Sequence, residues 1–475
     1  MAVIDVGSNS VRLVIFDGVS RSPAYFYNEK VLCGLGAGIY ESGVLHPEGR
    51  RRAMLALRRF MALLENMGLK SIAGVATAAV REASDGAEFC AQVLDDLGLK
   101  LHVATGSEEA RLSAQGVLLG WPEAQGIVCD IGGASMELAE LKNGKVGRCM
   151  TSDLGPLKLQ GVKADMDAYI HQKIADMQMP ALAARLFLVG GSWRALARLD
   201  MTRNGYPLKV LHEYTLTSEQ MLETAVWAES RQPEELAQFT DTSLARLNLV
   251  PLAAKVMVHL IDRLSPASIA ISSYGIREGM LFEEMPIKTR ALDPLIEASR
   301  FMEQSNARFP GFGDALFNWL LPLYSDRPRK FLRLIHAACL LHDVTWRSHP
   351  DYRADMSFEA VTRANMGGIN HQGRLFLALA IRSRYKSSGI DNQPALLLLD
   401  DETAFEAQKL GKAMRLGAMV SAALATTLAQ TEISRNANTI TLCLSRTGLA
   451  GEVVEKRLNA LAAAFECDAK LTYQN

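Results

Sequence analysis

Twice in this 475-residue sequence an apolar run ends in Asp, turns through Gly and Ser, and resumes as a second apolar run. The first copy spans Ala2–Ile15 around Asp5-Val6-Gly7-Ser8-Asn9-Ser10, and the second spans Ile127–Leu138 around Asp130-Ile131-Gly132-Gly133-Ala134-Ser135. The flanking β-branched residues predict strands, so each copy reads as a tight hairpin with an acid and small polar residues at its tip. Glycine lets successive backbone N–H groups converge on an anion, and Ser or Asn adds donors. Gly7, Ser8, Asn9 and Ser10, facing Gly132, Gly133, Ala134 and Ser135, could therefore clamp successive phosphates. Asp130 and Asp5, at the strand ends, could meet a divalent cation riding on those phosphates. One Asp-x-Gly hairpin is usually only a turn, but two with the acid on the same side favour a phosphate site.

Other residues fit the same chemistry. Glu137 follows Asp130 across the second turn, and it either points back toward the same site or stands as a solvated strand residue. In Thr105-Gly106-Ser107-Glu108-Glu109, Thr105 and Glu108 fit a capping box, which gives Glu108 a structural task and leaves Glu109 without one. The helix dipole keeps a first-turn carboxylate ionised, and beside a phosphate it can orient and deprotonate water. Acids also occur in first turns for dipole reasons alone. Arg81, between a strand and a helix, could neutralise phosphoryl oxygens, or it could lie exposed and pair with Glu82. Gly190-Gly191-Ser192 is a strand-to-helix turn of the kind that cradles phosphate, which adds Gly191 and Ser192 to the set.

The elements that would position these residues alternate. Residues 1–120 read as the hairpin at 2–17, a helix at 47–66, a strand at 71–77, a helix at 84–96 and a strand at 99–104. The order restarts at 121–290 with the second hairpin, a helix near 165–176, a strand at 186–189, helices at 217–230 and 243–263, and a strand at 269–271. Two such halves predict helix-covered sheets with a cleft between them. From 291 to 475 helical periodicity dominates, at 331–344, 375–384 and 405–430, and a small α/β tail has strands at 439–444 and 470–473 around a helix at 450–465. A 49% hydrophobic content gives ample core, and a net charge of −1 names no partner for the molecule as a whole. Seven Cys without Cys-x-x-Cys spacing argue against a disulfide framework or thiolate zinc site, and they suit a reducing compartment. The longest apolar stretch, around Leu416–Leu428, is shorter than the ~18 residues of a membrane span. A cytoplasmic protein, without membrane or nucleic acid as partner, is the expectation.

Residues 327–386 hold eleven Lys or Arg against four Asp or Glu, a local net of +7. This is either a surface for a long polyanion or a solvated helical face. His342-Asp343 evokes the metal-binding pair of a phosphohydrolase superfamily. The upstream His336 lies six residues away, about 240° around the helix, and would not converge on it. His371 and His349 are further candidate partners, but a structural His-Asp pair is the better reading.

In order, the Asp5–Ser10 segment, Arg81, Ser107–Arg111, Asp130–Glu137, Gly190–Ser192 and Gly275-Ile276-Arg277-Glu278-Gly279 resemble the motifs of the exopolyphosphatase and guanosine pentaphosphate phosphohydrolase family. The resemblance implies the two-lobed α/β fold shared by actin, the Hsp70 chaperones and the sugar kinases, which is ribonuclease H-like, with a C-terminal mainly α-helical domain. It also implies Mg2+ as cofactor with K+ as a candidate activator, and a homodimer. By position, Glu109 matches the catalytic glutamate, Asp130 and Glu137 match acids tied to magnesium and the attacking water, and Arg81 and the turns match phosphate contacts. The family usually has Gly-Gly-Gly-Ser-Thr where this chain has Gly132-Gly133-Ala134-Ser135-Met136, so a stiffer residue and a lost hydroxyl enter the second loop. The expected activity is release of terminal phosphate from inorganic polyphosphate. Removal of the 5′ phosphate from guanosine pentaphosphate is the alternative, followed by an ATP-dependent kinase of the same fold and a non-catalytic polyphosphate sensor.

Overall fold

The computed structural model describes residues 1–179, 184–386 and 393–474. It divides into two compact units, Met1–Leu292 and Asp293–Asn475. The first unit holds two mixed sheets of one design. Strands β1 (Ala2–Val6), β2 (Ser10–Phe16), β3 (Tyr25–Leu32), β4 (Ile72–Ala76) and β5 (Leu101–Val103) lie in the order β3-β2-β1-β4-β5. Strands β6 (Gly126–Ile131), β7 (Met136–Lys142), β8 (Lys145–Ser152), β9 (Arg185–Gly190), β10 (Thr215–Leu216) and β11 (Ser268–Ile271) lie in the order β10-β11-β9-β6-β7-β8. In each sheet an antiparallel three-strand meander continues through two parallel strands. The sequence repeat is therefore a structural one, and the unit has the two-lobed actin-like architecture.

The outer face of each sheet packs on its own helices. Ile4, Val6, Leu13 and Ile15 meet Phe60 and Leu64 of the helix Pro47–Asn66 in the first lobe. Ile127, Ile131, Met136 and Leu188 meet Trp193, Val256 and Leu260 in the second. The inner faces are covered by two helices that cross each other. The helix Gly106–Gly120 follows the last strand of the first sheet yet packs Ala110, Ala114 and Val117 against Val128, Ala139 and Phe187 of the second. The helix Ile276–Glu284 follows the last strand of the second sheet yet places Leu281 with Val3, Val14 and Phe16 of the first. Where the two helices meet, backbone touches backbone. A Cβ at Gly116 would lie 2.2 Å from the Gly275 carbonyl oxygen, and one at Gly279 would lie 1.8 Å from that of Leu112.

Four strands lay outside the sequence reading: β3, β8, β10 and β12 (Thr431–Asn436). β3 and β8 close their meanders largely exposed, so their charged sequences carry no continuous apolar face. The helix expected at 243–263 is broken into Leu244–Leu247 and Val250–Leu264, because Pro251 in the first turn has no N–H to continue the ladder. Leu244–Leu264 is nonetheless the one stretch among the described residues long and apolar enough to cross a membrane. It exceeds the 416–428 stretch in that respect, and Ala253, Val256, Met257 and Leu260 within it belong to the core of the second lobe.

The second unit is mainly helical, with β12, β13 (Thr439–Leu444) and β14 (Asp468–Tyr473) forming a small sheet beside the helix Glu452–Ala464. The helix expected at 405–430 ends at Ser421, where Ala422 and Ala423 take left-handed φ, and β12 begins at Thr431. Three of the eleven basic residues at 327–386 are internal: Arg374, Arg382 and Arg384 are at most 6% exposed. Arg374 donates to the carbonyls of Ala364 (2.6 Å) and Met366 (3.1 Å), Arg382 pairs with Asp355, and Arg384 reaches Asp343 at 3.4 Å. These three charges are framework, while the other eight basic residues of the segment keep solvent access. Asp343 is held by Arg308 at 2.7 and 3.0 Å, while His342 Nδ1 bonds the Cys339 carbonyl oxygen at 2.9 Å. Buried and repelled by Arg384, the His342 imidazole is pushed down to about 3, so the two residues serve separate structural contacts.

The helix crossing predicts its own test. Gly279→Ala should destabilise the protein by about 1–3 kcal/mol through backbone overlap at Leu112, read as a lower urea midpoint. Gly18→Ala, which meets nothing within 4 Å, should leave the midpoint in place. Equal midpoints would remove the crossing as a constraint.

Candidate active site

Alternation along the strands decides which side chains face the cleft. Asp5 pairs in register with Arg12 in the first hairpin, and Asp130 pairs with Glu137 in the second. Cross-strand partners share a face, so each pair stands on the inner face of its sheet. The two tips close alike, with Gly7 N–H donating to the Ser10 carbonyl oxygen at 3.0 Å and Gly132 N–H to that of Ser135 at 2.9 Å. Between them lies a cavity of about 270 Å3 lined by both turns, by Glu109, Asp130 and Glu137, and by the Gly190–Ser192 turn.

The crossing helices deliver the remaining groups. The Gly106 helix begins at the capping box, where Thr105 Oγ1 accepts from Glu108 N–H at 3.2 Å and Glu108 accepts from Thr105 N–H at 2.8 Å. Glu109, released from capping, reaches the cavity and pairs with Arg81. One turn on, Ser113 donates to Asp130. From the Ile276 helix, Arg277 Nη1 donates to Asp5 at 2.9 Å. Arg81 also donates to the Ala104 carbonyl oxygen at 2.7 Å, and it lines a neighbouring cavity with Ser135 rather than the main one. In this state Arg81 positions Glu109, and Asp5 is matched to a guanidinium.

The second-loop departures have a local explanation. Ala134 is not among the described residues with positive φ, so alanine costs that turn nothing. Met136 is buried in the core with Ile131 and Leu138, on the opposite face from Glu137. Glycine is required at Gly190, where φ is 113° and a Cβ would lie 2.4 Å from the Ile131 carbonyl oxygen.

The cavity is electrically divided. On one side Glu109 is 8% and Glu137 3% exposed. Burial pushes the Glu109 carboxyl up to about 7 despite Arg81, with Asp130 and Asp5 adding to the shift. Glu137 rises well above the carboxylate range through burial and the charges of Glu109 and Asp130, although Thr151 Oγ1 donates to it at 3.2 Å. Asp130 rises through burial, against the Ser113 hydrogen bond. The other side is cationic, lined by Arg12, Lys30, Arg194, Arg246 and Arg277. Burial and Arg277 push Arg12 down to about 10. The Lys30 ammonium, desolvated at the wall and repelled by Arg246, Arg12 and Arg277, is pushed down to about 8, although the residue keeps solvent access. One wall is short of positive charge and the other of negative charge, and a cation carried on a phosphate chain supplies both.

No three His, Cys, Asp or Glu among the described residues form a closed metal shell. Two adjacent carboxylates with elevated affinity for positive charge do fit Mg2+, which takes one or two carboxylates and completes its shell with water and substrate phosphate. Asp130 and Glu137 are those residues.

Five lining cations lay outside the predicted set. Arg12 and Arg277 stand inside segments that the motifs already marked, and period-two alternation puts Arg12 on the Asp5 face. Lys30 sits on β3, an edge strand without an apolar pattern, while Arg194 and Arg246 reach the cavity only through tertiary packing.

Comparison with known proteins agrees with this fold. The Ppx/GppA phosphatase family matches residues 14–288, and the exopolyphosphatase C-terminal family matches residues 326–471. A crystal structure of the Aquifex aeolicus member of the Ppx/GppA family is 23% identical with a TM-score of 0.52, covering 62% of this chain and 98% of the other. An exopolyphosphatase from Cytophaga hutchinsonii is 22% identical with a TM-score of 0.54, covering 60% and 98%. At these identities the likeness shows the fold.

The cation wall gives a readout independent of turnover. At pH 8, Lys30 should react with an amine-specific reagent faster than the surface lysines, and tripolyphosphate should protect it, as mapped by mass spectrometry. Labelling at the rate of an ordinary lysine, unchanged by tripolyphosphate, would contradict the crowded-cation description.

Proposed function

This chain belongs to the Ppx/GppA phosphatase family, and we propose that it is an exopolyphosphatase that releases terminal phosphate from inorganic polyphosphate by attack of water. The observation that carries this reading is the division of the cavity. Five cations and two sets of backbone and hydroxyl donors face Glu109, Asp130 and Glu137, and no aromatic side chain lines the cavity among the described residues. A purine would need a stacking or apolar surface, whereas a bare phosphate chain needs only donors and positive charge. The match of residues 326–471 to the exopolyphosphatase C-terminal family supports the same substrate. The seven free cysteines support a reducing, cytoplasmic setting.

In this mechanism the two turns and the arginines hold the chain in register, so that its terminal phosphorus lies in line with a water beside Glu109. Glu109 accepts the proton of that water, and Arg81 fixes its carboxylate in place through the ion pair and the anchor on the Ala104 carbonyl oxygen. Asp130 and Glu137 would hold magnesium, which would offset the charge on the phosphoryl oxygens. Ser113 and Thr151 orient those two carboxylates. Arg12, Arg194 and Arg277 stabilise the charge of the departing chain.

Glu109→Gln should lower kcat on long-chain polyphosphate by about 10²–10⁴-fold while leaving chain binding intact. Because only the ionised carboxylate can take a proton, kcat/KM of the wild type should rise with pH through about 7. An acid limb in the ordinary carboxylate range, or turnover surviving in the Gln variant, would remove Glu109 as the base. Guanosine pentaphosphate and ATP assayed alongside should be poorer substrates, and preference for either would overturn the choice of substrate.

A further inference from the structure

A second cavity of about 920 Å3 opens in the second lobe, and Arg246 lines both it and the active-site cavity. The Arg246 guanidinium packs on the phosphate turn itself, since a Cβ at Gly191 would lie 3.2 Å from its Cζ. Beyond Arg246 the wall carries Arg198 and Lys209, both exposed, against Asp241 as the single lining carboxylate among the described residues. Among the described residues none of the three cations forms an ion pair with a carboxylate, Asp241 included. Hydroxyls of Thr240 and Thr242 add donors. Burial and the charge of Arg246 push the Arg198 guanidinium down, so these two guanidinium groups stand close enough to repel one another.

A run of unneutralised cations leading away from a phosphate turn is unfavourable unless an anion lies along it. We propose that this cavity is a distal subsite that takes phosphate units of the chain behind the active site, with Arg246 as the joint and Arg198 and Lys209 as its outer contacts. The proposal rests on the polyphosphate reading and adds to it the place where a long chain differs from a short one. Tripolyphosphate is consumed by the active-site cavity alone, whereas longer chains gain the ion pairs of the second cavity. It also moves distal binding to the second lobe, away from the 327–386 segment whose central arginines are internal.

The test is a double variant, Arg198→Ala with Lys209→Ala, both at exposed positions, assayed with magnesium on long-chain polyphosphate, tripolyphosphate and guanosine pentaphosphate. KM for the long chain should rise about tenfold, the equivalent of two modest surface ion pairs, and its salt dependence should become shallower. KM for tripolyphosphate and kcat on both chains should stay within about twofold. An unchanged KM for the long chain, or an equal rise on tripolyphosphate, overturns the subsite. A rise confined to guanosine pentaphosphate also overturns it and assigns the cavity to a nucleotide. If the wild type releases phosphate from neither chain, the polyphosphate reading fails, and the subsite fails with it. Should the double variant be poorly folded, Lys209→Glu alone replaces it, and the same pattern of KM values decides.

Discussion

The backbone contact between the helices Gly106–Gly120 and Ile276–Glu284 is the constraint on which the rest of the first unit depends. Each helix leaves the lobe whose strand precedes it and covers the inner face of the other lobe's sheet. Glycine at 116 and 279 lets the two backbones touch, which fixes the separation and rotation of the helices far more tightly than side-chain packing would. The consequence is chemical. One helix carries Glu109 and Ser113 to Asp130, and the other carries Arg277 to Asp5. A shift of the crossing would move the proposed base, the serine that holds Asp130 and the arginine that holds Asp5 together.

The same architecture explains how one duplicated hairpin serves two tasks. Both copies keep Asp at the strand end and the same turn closure, but the register partner is Arg12 in one and Glu137 in the other. That difference sets opposite charges on the two hairpins, and Lys30, Arg194, Arg246 and Arg277 on one side and Glu109 on the other extend the division. Because the carboxylates are buried and the cations crowded, each wall gains more from a ligand of opposite charge than it would in water. A chain of phosphates carrying a divalent ion satisfies both.

Much of this was legible in the sequence because it rests on local signals. The duplicated Asp-Gly-Ser tips, the Thr105–Glu108 box that frees Glu109 and the Gly190 turn each follow from residue type and spacing, and the structure brings them to one cavity. What escaped was set by tertiary context. β3 and β8 are exposed edge strands with no apolar face to announce them, so Lys30 had no element to place it. Arg246 lies in the short helix Leu244–Leu247, whose separation from Val250–Leu264 a continuous helical pattern conceals. The positive segment at 327–386 looked like surface because charge counts do not reveal burial, yet Arg374 is sheathed in backbone carbonyls. Asp5 and Arg81 stood in the right places, but their partners, Arg277 and Glu109, lie far along the chain.

The central claim is that water, activated at Glu109, attacks the terminal phosphorus. A single turnover on tripolyphosphate in oxygen-18 water, with the products separated by mass, tests it most directly. The account predicts orthophosphate carrying one solvent oxygen and unlabelled pyrophosphate. Label in the pyrophosphate instead would place the attack on the inner phosphorus, and orthophosphate without solvent oxygen would mean that the phosphoryl group was passed to something other than water.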